Sequence, residues 1–190
     1  MSGMSAVSYF LFSIGFSFIL FVLWARFALI FFRVNAFSPL SQTIFRLTNP
    51  ILLPIYFCLS RLIRQKSRYD WSCLVGIFII ELIKYALMGP FFMHTVLPAI
   101  LIFMLSVVSM VVDPCGFLFY AILARVILSW VSPTTGSPFI ELIYAITEPM
   151  LYRIRRALPS TGGLDFSPLI AMVLLKIVTL FLTTTFPLTT

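Results

Sequence analysis

Six ionisable residues, Arg26, Glu81, Lys84, Asp113, Arg125 and Lys176, lie within or beside stretches that are otherwise apolar. A charge at mid-bilayer costs about 2.5–3.5 kcal/mol on insertion scales, so it faces a helix-bundle interior and takes a partner there. Two kinds of chemistry use such residues: ion pairs that hold helices together, and paths that pass an ion. Glu81 and Lys84 are three positions apart, which puts them on one helix face. Glu81 is therefore expected to pair with Lys84, Arg26 or Arg125. Arg26 and Arg125 also stand near span ends, where snorkelling to the interface suffices for a long cationic side chain.

A second group is basic and amphipathic. On a wheel of about 100° per residue, Met150, Leu151, Ile154, Ala157 and Leu158 fall within roughly 120°. Tyr152, Arg153, Arg155 and Arg156 occupy the rest. Earlier in the chain Ile51, Leu52, Ile55, Leu59, Leu62 and Ile63 cluster in the same way, with Ser60, Arg61 and Arg64 opposite, although Leu53 and Phe57 break that polar face. Basic amphipathic helices lie in a membrane interface, and each basic residue near an anionic leaflet contributes about 1 kcal/mol. The alternative is a helix packed on a transmembrane bundle with its arginines solvated, and the two readings are compatible. Arg153, Arg155, Arg156, Arg61 and Arg64 are thus candidates for contact with membrane lipid or a protein partner.

A third group shapes turns. Ser137-Pro138 reads as a helix start, with Ser able to cap and Pro at the first helical position. Pro149 predicts two short helices meeting at a kink. Gly162-Gly163 followed by Asp165, Ser167 and Pro168 reads as a turn and a second helix start, with Asp165 or Ser167 as cap. Asp165 can also pair with Arg155 or Arg156.

The usual signatures of catalysis and cofactors are missing. Cys58, Cys73 and Cys115 are far apart and lack CxxC spacing, and His94 is the sole histidine. No disulfide framework, zinc site or bis-histidine haem site is expected. There is no phosphate loop, HExxH or GxSxG, so the expectation is no cofactor, no metal and no enzyme.

The elements that carry these groups follow from composition. The 190 residues are 61% hydrophobic and 10% charged, with mean hydropathy +1.10. Soluble domains average about 25% charged, so the chain is read as an all-α, multi-pass membrane protein. Four crossings are expected, at 9–33, 72–92, a broken helix ending near 131, and 168–186. Residues 96–131 are the awkward part, because Asp113-Pro114-Cys115-Gly116 interrupts them. The other reading is two short crossings there and inverted repeats. Residues 1–8 lack Lys and Arg, so the first span is not expected to be a cleavable signal. Trp71 and Trp130 sit at span ends, as interface anchors do.

Two stretches match without a gap at an offset of 99. Ala25-Arg26 meets Ala124-Arg125, Ser38-Pro39 meets Ser137-Pro138, and Thr48-x-Pro50 meets Thr147-x-Pro149. Leu52, Ile55 and Leu59 meet Leu151, Ile154 and Leu158. At an offset of 95, Asp70-Trp71-Ser72 meets Asp165-Phe166-Ser167. The expected organisation is a first repeat over 1–92, a broken apolar linker over 93–117 and a second repeat over 118–190. Basic residues concentrate in the two inter-helix segments, which puts both on the cytoplasmic side and both termini outside.

The order Leu128-Ser129-Trp130-Val131, Ser137-Pro138, Glu148-Pro149, Arg155-Arg156, Pro159, Gly162-Gly163 and Asp165-Phe166-Ser167-Pro168 resembles the YggT (YlmG-like) family. The first copy departs from it, with Asn49 in place of Glu148 and a basic stretch in place of the glycines. The resemblance implies a bacterial inner-membrane protein linked to osmotic-stress tolerance, to division and septum organisation, or in plastids to assembly of a haem-bearing cytochrome. It implies no catalytic mechanism. The functional expectation is a non-enzymatic scaffold or assembly factor acting through its cytoplasmic basic helices. It would act on membrane lipid and on another membrane protein or a second copy, without binding nucleic acid. The alternative is a small ion transporter or channel subunit.

Overall fold

A computed structural model describes residues 3–34, 38–60, 70–93, 96–131, 137–158 and 165–186. These form six α-helices: α1 Gly3–Phe31, α2 Pro39–Ser60, α3 Trp71–Met88, α4 Ala99–Val131, α5 Pro138–Ala157 and α6 Ser167–Thr185. A π-helical turn, Gly89–Met93, extends α3. Among the described residues there is no strand. Four segments are long and apolar enough to cross a bilayer: Val7–Phe31, Trp71–Phe92, Ala99–Val131 and Ser167–Thr185. Helix is what such sequences adopt in lipid, because every backbone N–H and C=O must be satisfied within the segment.

The helix order repeats: long span, amphipathic helix, shorter span. Pro39 opens α2 and Pro138 opens α5, at the same offset of 99. The amphipathic helices α2 and α5 touch, so the two connecting arms lie at one end of the bundle. There Leu23 and Trp24 of α1, Leu52 of α2, Ile77 of α3, Phe117 of α4 and Ile146 of α5 share one core. A second core joins Ile122, Leu151, Ala171 and Leu175 of α4, α5 and α6. Leu151 is fully buried while Tyr152, Arg153, Arg155 and Arg156 are exposed. The apolar stripe of α5 thus packs on the bundle, as one of the two readings required, though Ala157 at its end is exposed.

Helix ends are closed by recognisable devices. At the end of α1, Arg33 takes φ 54°, and Val34 N–H bonds Leu29 C=O at 2.9 Å while Arg33 N–H bonds Ile30 C=O at 3.2 Å. This is a Schellman closure built on a non-glycine residue. Ser38 Oγ accepts from Ser41 N–H at 3.2 Å. Ser137 holds the N-cap position with Pro138 next, but its hydroxyl makes no capping bond.

Two expectations are corrected. The Asp113-Pro114 sequence does not break the middle segment, because α4 runs unbroken for 33 residues with Pro114 inside. Ending a helix in lipid strands several backbone groups, whereas an interior proline removes one bond. Pro149 likewise sits inside a continuous α5, as Pro50 and Pro54 do inside α2. Buried Ile143, Ile146 and Leu151 on both sides of Pro149 hold that helix together.

Candidate functional site

Each amphipathic helix is tied to the two spans of its repeat by one polar network. In the first repeat Arg26 of α1 is 6% exposed. Its Nη1 donates to Thr48 Oγ1 at 2.6 Å and to Asn49 Oδ1 at 2.8 Å. The guanidinium lies 5.0 Å from the Phe45 ring centroid, a cation–π distance. The Arg26 Nε is 3.8 Å from Asp70 Oδ2, an ion pair longer than a hydrogen bond. Tyr56 Oη donates to the same Asp70 oxygen, and the other oxygen accepts from Cys73 N–H at 3.2 Å, capping α3.

The second repeat rebuilds this with different groups. Arg125 Nη1 donates to Thr147 Oγ1 at 3.0 Å, Nη2 donates to Glu148 Oε2 at 2.5 Å, and the Tyr144 ring lies at 4.1 Å. Arg155 then bridges Glu148 Oε1 at 3.2 Å and Asp165 Oδ2 at 2.6 Å. Asp165 Oδ1 accepts from Ser167 N–H at 3.0 Å and Ser167 Oγ–H at 2.6 Å. In register, Phe45 matches Tyr144, Thr48 matches Thr147, Asn49 matches Glu148, Tyr56 matches Arg155 and Asp70 matches Asp165. The first network holds one cation and one anion, the second two of each, so both are neutral overall. Each threonine also donates to its own helix, Thr48 to Ile44 C=O at 2.8 Å and Thr147 to Ile143 C=O at 2.7 Å. That fixes the hydroxyl lone pairs toward the arginine.

The electrostatics agree with the geometry. Burial raises the Asp165 pKa, but hydrogen bonds from Arg155 and Ser167 outweigh it and hold the group at about 2. Burial also opposes the lowering of Glu148, which its bonds to Arg125 and then Arg155 carry through. Tyr56 is pushed up to about 12, first by burial and then by its bond to Asp70.

Other expected residues fall elsewhere. Glu81 does not meet Arg26 or Arg125, which the clamps engage; it pairs with Lys84 at 3.4 Å and lies against Asp113. Glu81 is fully buried, deeper in the bundle than either arginine. Arg26 is itself buried, with buried Thr48 and exposed Asn49 among its partners. Asp165 combines two of its expected roles, bonding the first turn of α6 and pairing with Arg155 rather than Arg156. Phe166 holds the N-cap position of α6, with Pro168 second in the helix. Arg153 and Arg156 point outward as exposed residues. Arg61, Arg64, Gly162 and Gly163 lie outside the described residues. Trp71 and Trp130 are exposed at helix ends, 46% and 82%, while Trp24 is buried. Cys58, Cys73 and Cys115 are free thiols. Among the described residues no three His, Cys, Asp or Glu side chains converge in a way that would hold a metal.

The arrangement is a fastener repeated at one spacing. The chain matches the CCB3/YggT family twice in tandem, over residues 5–91 and 101–186. The chain belongs to the YggT family. Among YggT relatives, the uncharacterized protein PA0392 of Pseudomonas aeruginosa is 34% identical over 182 residues, 92% of this chain and 86% of the relative. The uncharacterized protein YggT of Escherichia coli K12 is 31% identical over 160 residues, 82% of this chain and 76% of the relative. An uncharacterized Haemophilus influenzae protein is 30% identical over 152 residues, covering 80% and 76%. No solved structure matches. Both YggT copies contain a complete clamp, and the matched stretch of the second copy starts at residue 101, within α4.

Proposed function

We propose that this protein is a non-enzymatic scaffold of the bacterial inner membrane, serving cell-envelope, division or osmotic-stress functions. Its four spans anchor two rigid amphipathic arms on the cytoplasmic side, with both termini periplasmic. The observation that carries the reading is the duplicated clamp. Arg26 fixes α2 to its span through a buried bond and Arg125 fixes α5 through part-buried ones, while Arg46, Arg153 and Arg156 are left exposed on the arms. A fixed arm with a basic outer face suits an anionic lipid surface and a membrane-protein partner or second copy. Crosslinkers placed at Tyr152, Arg153 and Arg156 in intact cells should capture one defined membrane protein. Random capture at all three positions would defeat the reading. A reporter fused at Leu158 should register on the cytoplasmic face.

A transport reading has one observation in its favour, the buried Glu81 with Lys84 and Asp113 inside the spans. Ion flux into liposomes that is lost on Glu81→Gln would favour it over the scaffold.

A further inference from the structure

Deeper in the bundle, away from the clamps, a cavity of about 450 Å³ opens between α1, α4 and α6, with Lys84 of α3 in its wall. It therefore lies where the first repeat meets the second. Its polar lining includes Ser17, Lys84, Asp113, Tyr120 and Lys176. Lys176 is the tenth of nineteen residues in α6, near the middle of that span. At the offset of 95 it takes the place that Glu81 holds in the first repeat. Glu81 has Lys84 and Asp113 beside it. The residues that match those two around Lys176 are Thr179 and Ile14, neither of which is acidic. No hydrogen bond or ion pair ties Lys176 among the described residues.

Duplication has thus placed an ammonium group where the bilayer is least tolerant of one, without a carboxylate of its own. Asp113, the only carboxylate in the cavity wall among the described residues, lies against Glu81. A further unmet donor is nearby: the Trp24 indole, whose ring also lines the cavity, is buried and its N–H has no acceptor among the described residues. The remaining wall is apolar, with Phe21, Phe117 and Leu180 among its members. Lys176 and the Trp24 N–H, left without partners beside a largely apolar wall, define a complementary guest.

We propose that this cavity binds the anionic head of one amphiphile, a phosphate or a carboxylate, at Lys176. Its hydrocarbon chain lies along Phe21, Phe117 and Leu180. The phosphate would come from a phospholipid and the carboxylate from a free fatty acid. Lys176 is exposed at the mouth of the cavity, and its charge-assisted bonds to such a head group are stronger than neutral ones.

The test uses the full chain with Trp71 and Trp130 changed to Phe, leaving Trp24 as the one indole, in nanodiscs of phosphatidylcholine. Brominated phosphatidylglycerol or brominated oleate is added and quenching of Trp24 is recorded. Saturable quenching by phosphatidylglycerol identifies the phospholipid source, and by oleate the fatty-acid source. Lys176→Gln should weaken the binding roughly ten-fold or more, the factor that goes with one lost bond to a charged group. Lys176→Arg should retain most of it, which separates loss of charge from misfolding. Quenching by brominated phosphatidylcholine equal to that by both anionic probes would overturn the proposal, even if no variant folds. Equal affinity in a folded Lys176→Gln protein would overturn it as well.

Discussion

Tyr56 and Arg155 hold the same place in the two repeats, and each bonds the aspartate beside the start of the following span. One does so as a neutral phenol and the other as a cation. The difference is balanced on the same helix, seven residues earlier, where Asn49 becomes Glu148. Two helical turns separate the members of each pair, so they share a face.

That balance gives a direct prediction. Tyr56→Arg alone places a second guanidinium beside Arg26 with only Asp70 to share, and should destabilise the protein by about 1–3 kcal/mol. Adding Asn49→Glu should recover most of the loss. Thermal unfolding of the two single variants and the double variant in detergent measures the coupling. Strictly additive effects would show that the two positions do not act together.

Removing the arginines should cost unequally. Arg26 is more deeply enclosed than Arg125, whose side chain is 11% exposed, and Arg125 has a partner carboxylate that is 43% exposed. Arg26→Gln leaves Asp70 buried at 8% exposure without its cation, a loss of about 3–5 kcal/mol by analogy with other buried pairs. Arg125→Gln should cost less, because water reaches Glu148 and Arg155 remains bonded to it. Expression level and melting temperature rank the two variants.

Asp165 gives a pH signature. Its native pKa of about 2 lies below the ordinary value of 3.8. The lowered value means that the native state favours the carboxylate. That contribution is complete above about pH 4 and is lost as the pH falls through about 2. Asp165→Asn should remove this part of the acid sensitivity, even though Asn can still accept from the first turn of α6. Melting curves between pH 5 and pH 2 compare the two proteins, and an unchanged slope would count against the Arg155 pairing.

Gly76 marks a close approach between α3 and α2. A Cβ built there would sit 2.5 Å from Leu52 Cδ2 and 3.3 Å from Ile55 Cδ1. Leu52 is fully buried and cannot swing into open space. Gly76→Ala should therefore destabilise by about 1–3 kcal/mol through overpacking. Leu52→Ala in the same chain should relieve part of that loss, as a double-mutant cycle would report.

Much of this arrangement was legible in the sequence. The four spans, the two offsets and the pairs Arg26/Arg125, Thr48/Thr147 and Asp70/Asp165 stand out because the same residue types recur. Asn49/Glu148 stands out only as a departure of the first copy, and Tyr56/Arg155 not at all, since comparison by identity passes over a change in chemistry that is compensated elsewhere. Glu81 was legible as buried and as a partner of Lys84, but not as a neighbour of Asp113. The latter contact depends on how α3 packs against α4. Continuity of α4 was hidden for a different reason. Proline and aspartate read as a stop in water, where exposed carbonyls find solvent, but not inside a membrane span.

The long helix α4 has a mechanical consequence. It packs against α1, α3, α5 and α6, so it serves both halves of the molecule as a common spine. Pushing or tilting an arm at the α5 end would be transmitted along that rod toward the chamber lined by Asp113. Whatever engages the surface of this protein at that end meets a helix that continues into its interior.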